Sequence, residues 1–507
     1  MLTLAVLQRM RKKASSIRIV PHPLKRAGRV HRSAQGGCWA RSVAPRAAGT
    51  RGAQGSLGAT QYAGVVTDVL PAAPSTAAPL SAGEIDAVRQ RFPILSREVN
   101  GHPLTYLDTA ATAQKPDVVI EAESAFYRES NAAVHRGAHT LAGEATELYE
   151  DARLTVAAFL GVDEHEIVFT SHATEALNLV AYALGTASIG RGAGAAAAEF
   201  ALGPGDEIVV TELEHHANLI PWQELAARTG ATLRFIPVHD HGGLDLDAAA
   251  SIISERTRVL AITHVSNVTG AVTPLDVLVP LARAAGALVV LDACQSAPHL
   301  PLRPRELDVD IAVFSGHKLY GPTGIGVLYG RAALLDALPP FLYGGSMITT
   351  VTMEKAEYLP SPQRFEPGTP RIAQAIGLAA AIRFVQEVRM ERIAATEHVL
   401  GERLLAGLST VPDVRVLGAG SPEPRVALAS IVVDGVHAHD AGQVLDEVGI
   451  AARVGHHCAQ PLHRRFGVTA SLRLSAGLYT TEAELDRAVE AVASIRPFFG
   501  LSEGEQS

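Results

Sequence analysis

The chain has 507 residues, 47% of them hydrophobic and 19% charged, with a formal net charge of −8, a balance that reads as a soluble globular protein with a large apolar core. All twelve basic side chains of residues 1–67 lie in a stretch without any acid, which leaves 32 basic against 52 acidic side chains in the rest, about −20, a body that excludes a phosphate-backbone binder of nucleic acid. Three cysteines, Cys38, Cys294 and Cys458, without CxxC spacing argue against a disulfide framework and fit a cytoplasmic enzyme, and the longest apolar run, around Leu275 to Leu291, is too interrupted by Pro280 and Arg283 to span a membrane.

In chain order, residues 1–80 form a basic leader rich in Arg, Ala, Gly, Ser and Pro, with no sustained period, and are expected to be disordered. An organellar transit segment, a tether to a partner and a start assigned too far upstream all remain open for it. Ordered structure is expected from Ser81, where Ser81 and Glu84 have the spacing of a helix capping box. Beyond it, "EIVFT", "EIVVTE", "TLRFIPV", "RVLAITHV", "ALVVLDA" and "IAVFSG" read as strands separated by helix-length segments. That alternation predicts an α/β protein with a mostly parallel sheet. The Ala/Gly-rich stretch from Gly185 to Asp206 interrupts the rhythm and reads as a loop insertion. After about Phe365 a long helix, weaker strands and a final helix from about Glu482 suggest a smaller α+β domain.

Ligands of such sheets bind beyond the carboxyl ends of the strands. The residues following the predicted strands are Thr174, His215, Asn267, Asp292, Gln295, Ser315, His317 and Lys318. Lys318 stands out because the chain has 38 arginines but only six lysines, of which Lys115, Lys318 and Lys355 lie outside the leader. A desolvated lysine forms a Schiff base, which the permanently protonated guanidinium of arginine does not. Asp292 ends an apolar strand, a costly place for a carboxylate unless it faces a partner such as a pyridinium nitrogen. Lys318 with Asp292 meets the demands of pyridoxal 5'-phosphate (PLP), and Thr174, Ser315 and His317 are suited to its phosphate, Thr174 at the start of a helix. A nucleoside triphosphate site is excluded, since "GPTGIG" follows Lys318 instead of preceding it.

The strings "AAVHRGAHTL", "TELEHHANLIPWQELA", "ITHVSNVTG", "LDACQS", "FSGHKLYGPTGIG", "GGSMI", "RFEPGTP" and "RVGHHCAQPL" occur in this order. In order and spacing the chain resembles the Suf-type, group II cysteine desulfurases, PLP enzymes of the class V aminotransferase group, over about Ile85 to Gly500. The resemblance implies the type I fold of PLP-dependent transferases, with an N-terminal segment (81–103) packing with the small domain, a large PLP-binding domain (104–365) and a small C-terminal domain (366–502) carrying the catalytic cysteine. It implies Lys318 as the Schiff-base lysine, Asp292 as partner of the pyridine nitrogen, Gln295 near the phenolic oxygen, and His215 stacked on the ring with Asn267 nearby. Thr174, Ser315 and His317 become phosphate ligands, and Thr369 reaches the phosphate of the neighbouring subunit of a homodimer. Arg473 pairs with the substrate carboxylate, Cys458 becomes a persulfide, and Arg453, His135 and Arg136 line the site.

Taken alone, His456, His457 and Cys458 also suggest a metal site, but consecutive extended residues face opposite ways and no second ligand pair is spaced for zinc, so no metal is expected. A buried, inert cysteine is the stronger competitor. Against it, no acid occurs between Glu447 and Glu482, while Arg453, Arg464, Arg465, Arg473 and three histidines do, surroundings that favour a thiolate and attract a carboxylate. For Cys294 a buried structural cysteine is expected. The expected reaction takes L-cysteine to L-alanine with sulfur held on Cys458, with His215 as a candidate proton carrier, and delivers the sulfur to an acceptor protein of the Suf system for iron–sulfur cluster assembly. A selenocysteine lyase, acting on L-selenocysteine with less need of Cys458, and a catalytically idle scaffold are the alternatives.

Overall fold

Runs of β-branched and apolar residues assemble a seven-stranded sheet from β1 (Ile167–Thr170), β2 (Glu207–Thr211), β3 (Thr232–Ile236), β4 (Thr257–Thr263), β5 (Leu288–Asp292), β6 (Ile311–Ser315) and β7 (Gly326–Gly330). Their spatial order is β1-β7-β6-β5-β4-β2-β3. Only β7 runs antiparallel to its neighbours. The six predicted strands are present within one or two residues of their expected bounds, and "GVLYG" of β7 is the addition. Every residue of β1, β2, β6 and β7 is buried, the pattern of strands covered on both faces. Gly326 opens β7 because a Cβ there would lie 2.5 Å from the Cα of His172, so only glycine lets that segment pass.

The computed structural model describes residues 77–191 and 195–501, all within one unit that runs from Val66 to Ser507. The predicted leader lies outside the described residues up to residue 76. From there, Leu80 donates its N–H to Thr396 Oγ1 at 2.8 Å, and helix α1 (Ala82–Arg89) follows. Ser81 and Glu84 form the expected capping box, in which Glu84 accepts the N–H of Ser81 at 2.8 Å, and Glu84 also accepts a bidentate bond from Arg392. Helix α2 (Thr140–Leu160) covers one face of the sheet, and α3 (Ala173–Ser188) follows β1 directly. The Ala/Gly-rich stretch is only partly a loop: it begins inside α3 and includes a helical turn, Ala195–Ala198, as alanine's high helix propensity favours.

Helix α4 (Ile372–Val388) packs against α2 and the helix Asp117–Ala125, and α5 (Met390–Ser409) leads into a second sheet. That sheet contains β8 (Val414–Val416), β9 (Leu428–Val433), β10 (Arg453–Gly455) and β11 (Ser471–Ser475), antiparallel in the order β8-β9-β11-β10. Helix α6 (Glu482–Ala493), capped by Thr481 and Glu484, packs on α5 and closes its core with Leu404, Leu472 and Leu485. No helix among the described residues is long and apolar enough to cross a membrane.

Candidate active site

A cavity of about 470 Å³ opens at the carboxyl ends of β4, β5 and β6, where the second sheet meets the first. It is lined by Thr174, His215, Asn267, Asp292, Gln295, Ser315, His317, Lys318, Arg453, Cys458 and Arg473, so most of the predicted site residues converge there. Thr369, His135 and Arg136 do not line it; all three are exposed. His135 instead contacts Glu150 at 2.7 Å.

The strand ends fix the floor. Asp292 is 4% exposed, its backbone oxygen accepts the N–H of His264 at 2.9 Å, and its carboxylate accepts that of Cys294 at 3.0 Å. Gln295 donates Nε2 to Ala110 O at 2.8 Å, while its Oε1 is buried without a partner, an orphan acceptor suited to a ligand hydroxyl. Ser315 Oγ accepts the N–H of Ala173 at 2.9 Å, which leaves its hydroxyl proton free to donate. Together with the N-terminus of α3 and His317 it forms an anion cradle. Lys318 ends the 3-10 turn Gly316–Lys318, and the carbonyl before it, on His317, accepts from Lys115 Nζ at 2.9 Å.

His215 and His317 are neutral for physical reasons. Burial and the neighbouring Lys318 charge push His215 down to about 4, and the same two causes do so for His317. Because Nδ1 of His215 accepts the N–H of Ala217 at 3.0 Å, the neutral ring carries its proton on Nε2. Burial likewise raises the Cys294 thiol well above its usual value, the environment of an inert cysteine.

Cys458 belongs to a turn in which Gly455, His457 and Cys458 all have positive φ, at 118°, 49° and 56°. Two consecutive left-handed non-glycine residues are strained and need external restraint. His457 O accepts from Asn267 Nδ2 at 2.6 Å, and Cys458 O accepts the N–H of His216 at 2.7 Å. Beneath the turn, His463 Nδ1 reaches the Ala459 carbonyl at 2.9 Å, which makes that nitrogen the donor. Ser471 then gives its proton to His463 Nε2 and accepts from His457 Nε2, at 3.0 and 2.9 Å. Burial lowers His457 to about 2, so it stays neutral and structural. Cys458 itself is exposed. No group of three or more His, Cys, Asp or Glu among the described residues could hold a metal ion.

Arg473 is 2% exposed, donates Nη1 to Asn267 O at 2.9 Å and has Nη2 only 3.5 Å from Asp108, while its Nε has no partner. A buried guanidinium so weakly countered is suited to a carboxylate. Asp108 was not singled out by the sequence, and His457 was weighed there only as a metal ligand, not as a support of the turn; the polar residue ending "LTYLD" was the available signal for Asp108.

The family described as Aminotransferase class-V matches residues 105–488. A probable cysteine desulfurase 2 of Mycobacterium leprae is 53% identical over 418 residues, 82% of this chain and 98% of its own. The structure of the Escherichia coli cysteine desulfurase CsdA, in its S-sulfonic acid form, is 38% identical with a TM-score of 0.73, covering 82% of this chain and 98% of that one. The structure of a C-DES variant with glycine covalently linked to its PLP cofactor is 26% identical with a TM-score of 0.66, over 80% of this chain and 98% of that one.

Proposed function

The chain belongs to the class-V aminotransferase family, and from that premise we propose that it removes sulfur from L-cysteine and holds it as a persulfide on Cys458. It is a PLP-dependent cysteine desulfurase. The observation that carries this reading is one cavity holding Lys318, Asp292 and Arg473 together with an exposed cysteine on a restrained turn.

Bound PLP supplies an electron sink that makes the Cα proton and the β-sulfur of an amino acid labile. We assign its attachment to Lys318, its pyridine nitrogen to Asp292, its phenolic oxygen to Gln295 and its phosphate to Thr174, Ser315 and His317. His215 and Asn267, which line the same cavity, would lie beside its ring. Arg473, with Arg453 near it, takes the substrate carboxylate and thereby sets the direction of the side chain. Lys318 would move the Cα proton, and His215, which lines the same cavity, holds a proton on Nε2. The Cys458 thiolate attacks the substrate sulfur: the S–S bond forms, the C–S bond breaks, and its electron pair stays on carbon, which takes a proton and leaves as L-alanine.

Thr369, His135 and Arg136 are exposed and lie outside the cavity; we assign Thr369 to the phosphate of the neighbouring subunit of a homodimer, a role its exposure supports, and His135 and Arg136 to the surroundings of the site. The order and spacing of the motifs support the Suf-type subgroup, a cytoplasmic enzyme and delivery of sulfur to a small acceptor protein for iron–sulfur cluster assembly. We take 104–365 as the large domain and 366–502 as the small one, with 81–103 packing on the latter, as the contacts of Leu80 and Arg89 with α5 and α6 support.

The test is alanine formation with Cys458→Ala and Lys318→Ala proteins on L-cysteine and L-selenocysteine. Both variants are expected to fall to background with L-cysteine. Unchanged L-cysteine turnover by Cys458→Ala would contradict the persulfide route, and retention of selenocysteine turnover alone would identify selenium chemistry that needs no thiol.

A further inference from the structure

Arg453 on β10 and Arg473 on β11 are directly opposite in the antiparallel register, a like-charge cross-strand pair that is destabilising by itself. One carboxylate relieves it. Asp108 Oδ1 lies 3.5 Å from Arg473 Nη2 and Asp108 Oδ2 lies 3.7 Å from Arg453 Nη1, one oxygen for each guanidinium. The backbone sets this placement: Asp108 bridges Ser475, two residues beyond Arg473, and Ser475 donates its N–H to Leu107 O at 2.8 Å. Both separations exceed those of a direct charge-assisted bond, so neither arginine is saturated. Two guanidinium groups against one carboxylate leave a single net positive charge at this end of the cavity. The other charged groups nearby, Lys318 and Asp292, face the cofactor position, and His215 and His457 are neutral.

We propose that Asp108 is a charge-matching residue: it holds the Arg453–Arg473 pair at one unit of positive charge, so that the pocket accepts an amino acid with one carboxylate and rejects one with a second anion on its side chain. This rests on the reading that Arg473 binds the substrate carboxylate. Asp108 touches neither the reacting atoms nor the cofactor position; it acts through the arginines as a positioning and specificity residue. A substrate carboxylate entering beside Arg473 meets Asp108 as a like charge, tolerable for one anion and costly for two.

The experiment measures dissociation constants of L-alanine and L-aspartate for the holoenzyme by equilibrium titration, with KM and kcat for L-cysteine alongside. In the wild type L-aspartate binds more weakly than L-alanine. Asp108→Asn tightens L-aspartate on the order of tenfold relative to L-alanine, the effect of removing one nearby like charge in a partly screened site. Asp108→Glu retains the wild-type ratio. A general loosening of the fold would weaken both ligands and leave their ratio unchanged, and that result overturns the proposal. Should Asp108→Asn not give folded holoenzyme, Arg453→Gln decides: it disfavours L-aspartate further relative to L-alanine, and an unchanged ratio refutes the idea. Arg473→Met separates the two levels. If it leaves L-alanine binding intact, the carboxylate reading of Arg473 fails; if it weakens both ligands while Asp108→Asn leaves the ratio unmoved, only the Asp108 proposal fails.

Discussion

Glu214 is buried beside His215 and accepts from Thr211 Oγ1 at 2.7 Å, Thr263 N at 3.0 Å and Asn218 Nδ2 at 2.7 Å, so one carboxyl ties the ends of β2 and β4 to the turn that holds His215. Burial pushes its pKa up to about 8. The folded form therefore keeps a proton that the unfolded chain releases near 4.5, so stability falls as pH rises from there to about 8 and then levels off. Glu214→Gln removes this slope; thermal unfolding between pH 5 and 9, about the span of the two pKa values, is expected to show a shallower decline in the variant than in the wild type. At this scale the sequence was legible where chemistry coincided with a strand end, as for Asp292, Ser315 and Lys318, because a polar group there either faces a ligand or costs stability. The scarcity of lysine pointed to Lys318; it left Lys115 unassigned, since its bond to the His317 carbonyl joins residues 202 positions apart. Asp108 was hidden for the same reason: its meaning depends on a register between strands far along the chain.

Among the elements, the loop after Phe365 and the segment holding His135 share one anchor. Arg153, 1% exposed at its side chain, makes a bidentate bond to Glu366, at 2.8 Å from each nitrogen. Glu366 also accepts from Phe169 N at 2.7 Å and Tyr149 OH at 2.9 Å, while Arg153 Nε bonds Glu150, which holds His135. Glu366→Gln leaves the buried guanidinium with only the partly exposed Glu150 as counter-charge and is expected to cost on the order of 3 kcal/mol in chemical denaturation. A change within 0.5 kcal/mol, about the scatter of surface substitutions, would show that the pair does not anchor the loop. The regular strands were readable from their apolar runs, whereas β7 was not, since "GVLYG" follows glycine-rich sequence and is defined by its antiparallel partners. The Ala/Gly stretch was misjudged in part because glycine suggested a loop while alanine continued α3.

The whole molecule joins two sheets whose contributions meet at the cavity: strand ends of the first supply the groups assigned to the cofactor, and β10, β11 and the turn between them supply Arg453, Cys458 and Arg473. Neither set performs the reaction alone, because the labile sulfur is created on one side and received on the other. The measurement that tests this most directly is a single turnover of holoenzyme with L-cysteine, followed by mass spectrometry of its cysteine peptides and quantification of alanine. One added sulfur atom on the Cys458 peptide, none on the Cys294 peptide, and alanine equal to the sulfur bound are expected. Alanine formed with no sulfur on Cys458, or sulfur carried by Cys294 instead, would contradict the account.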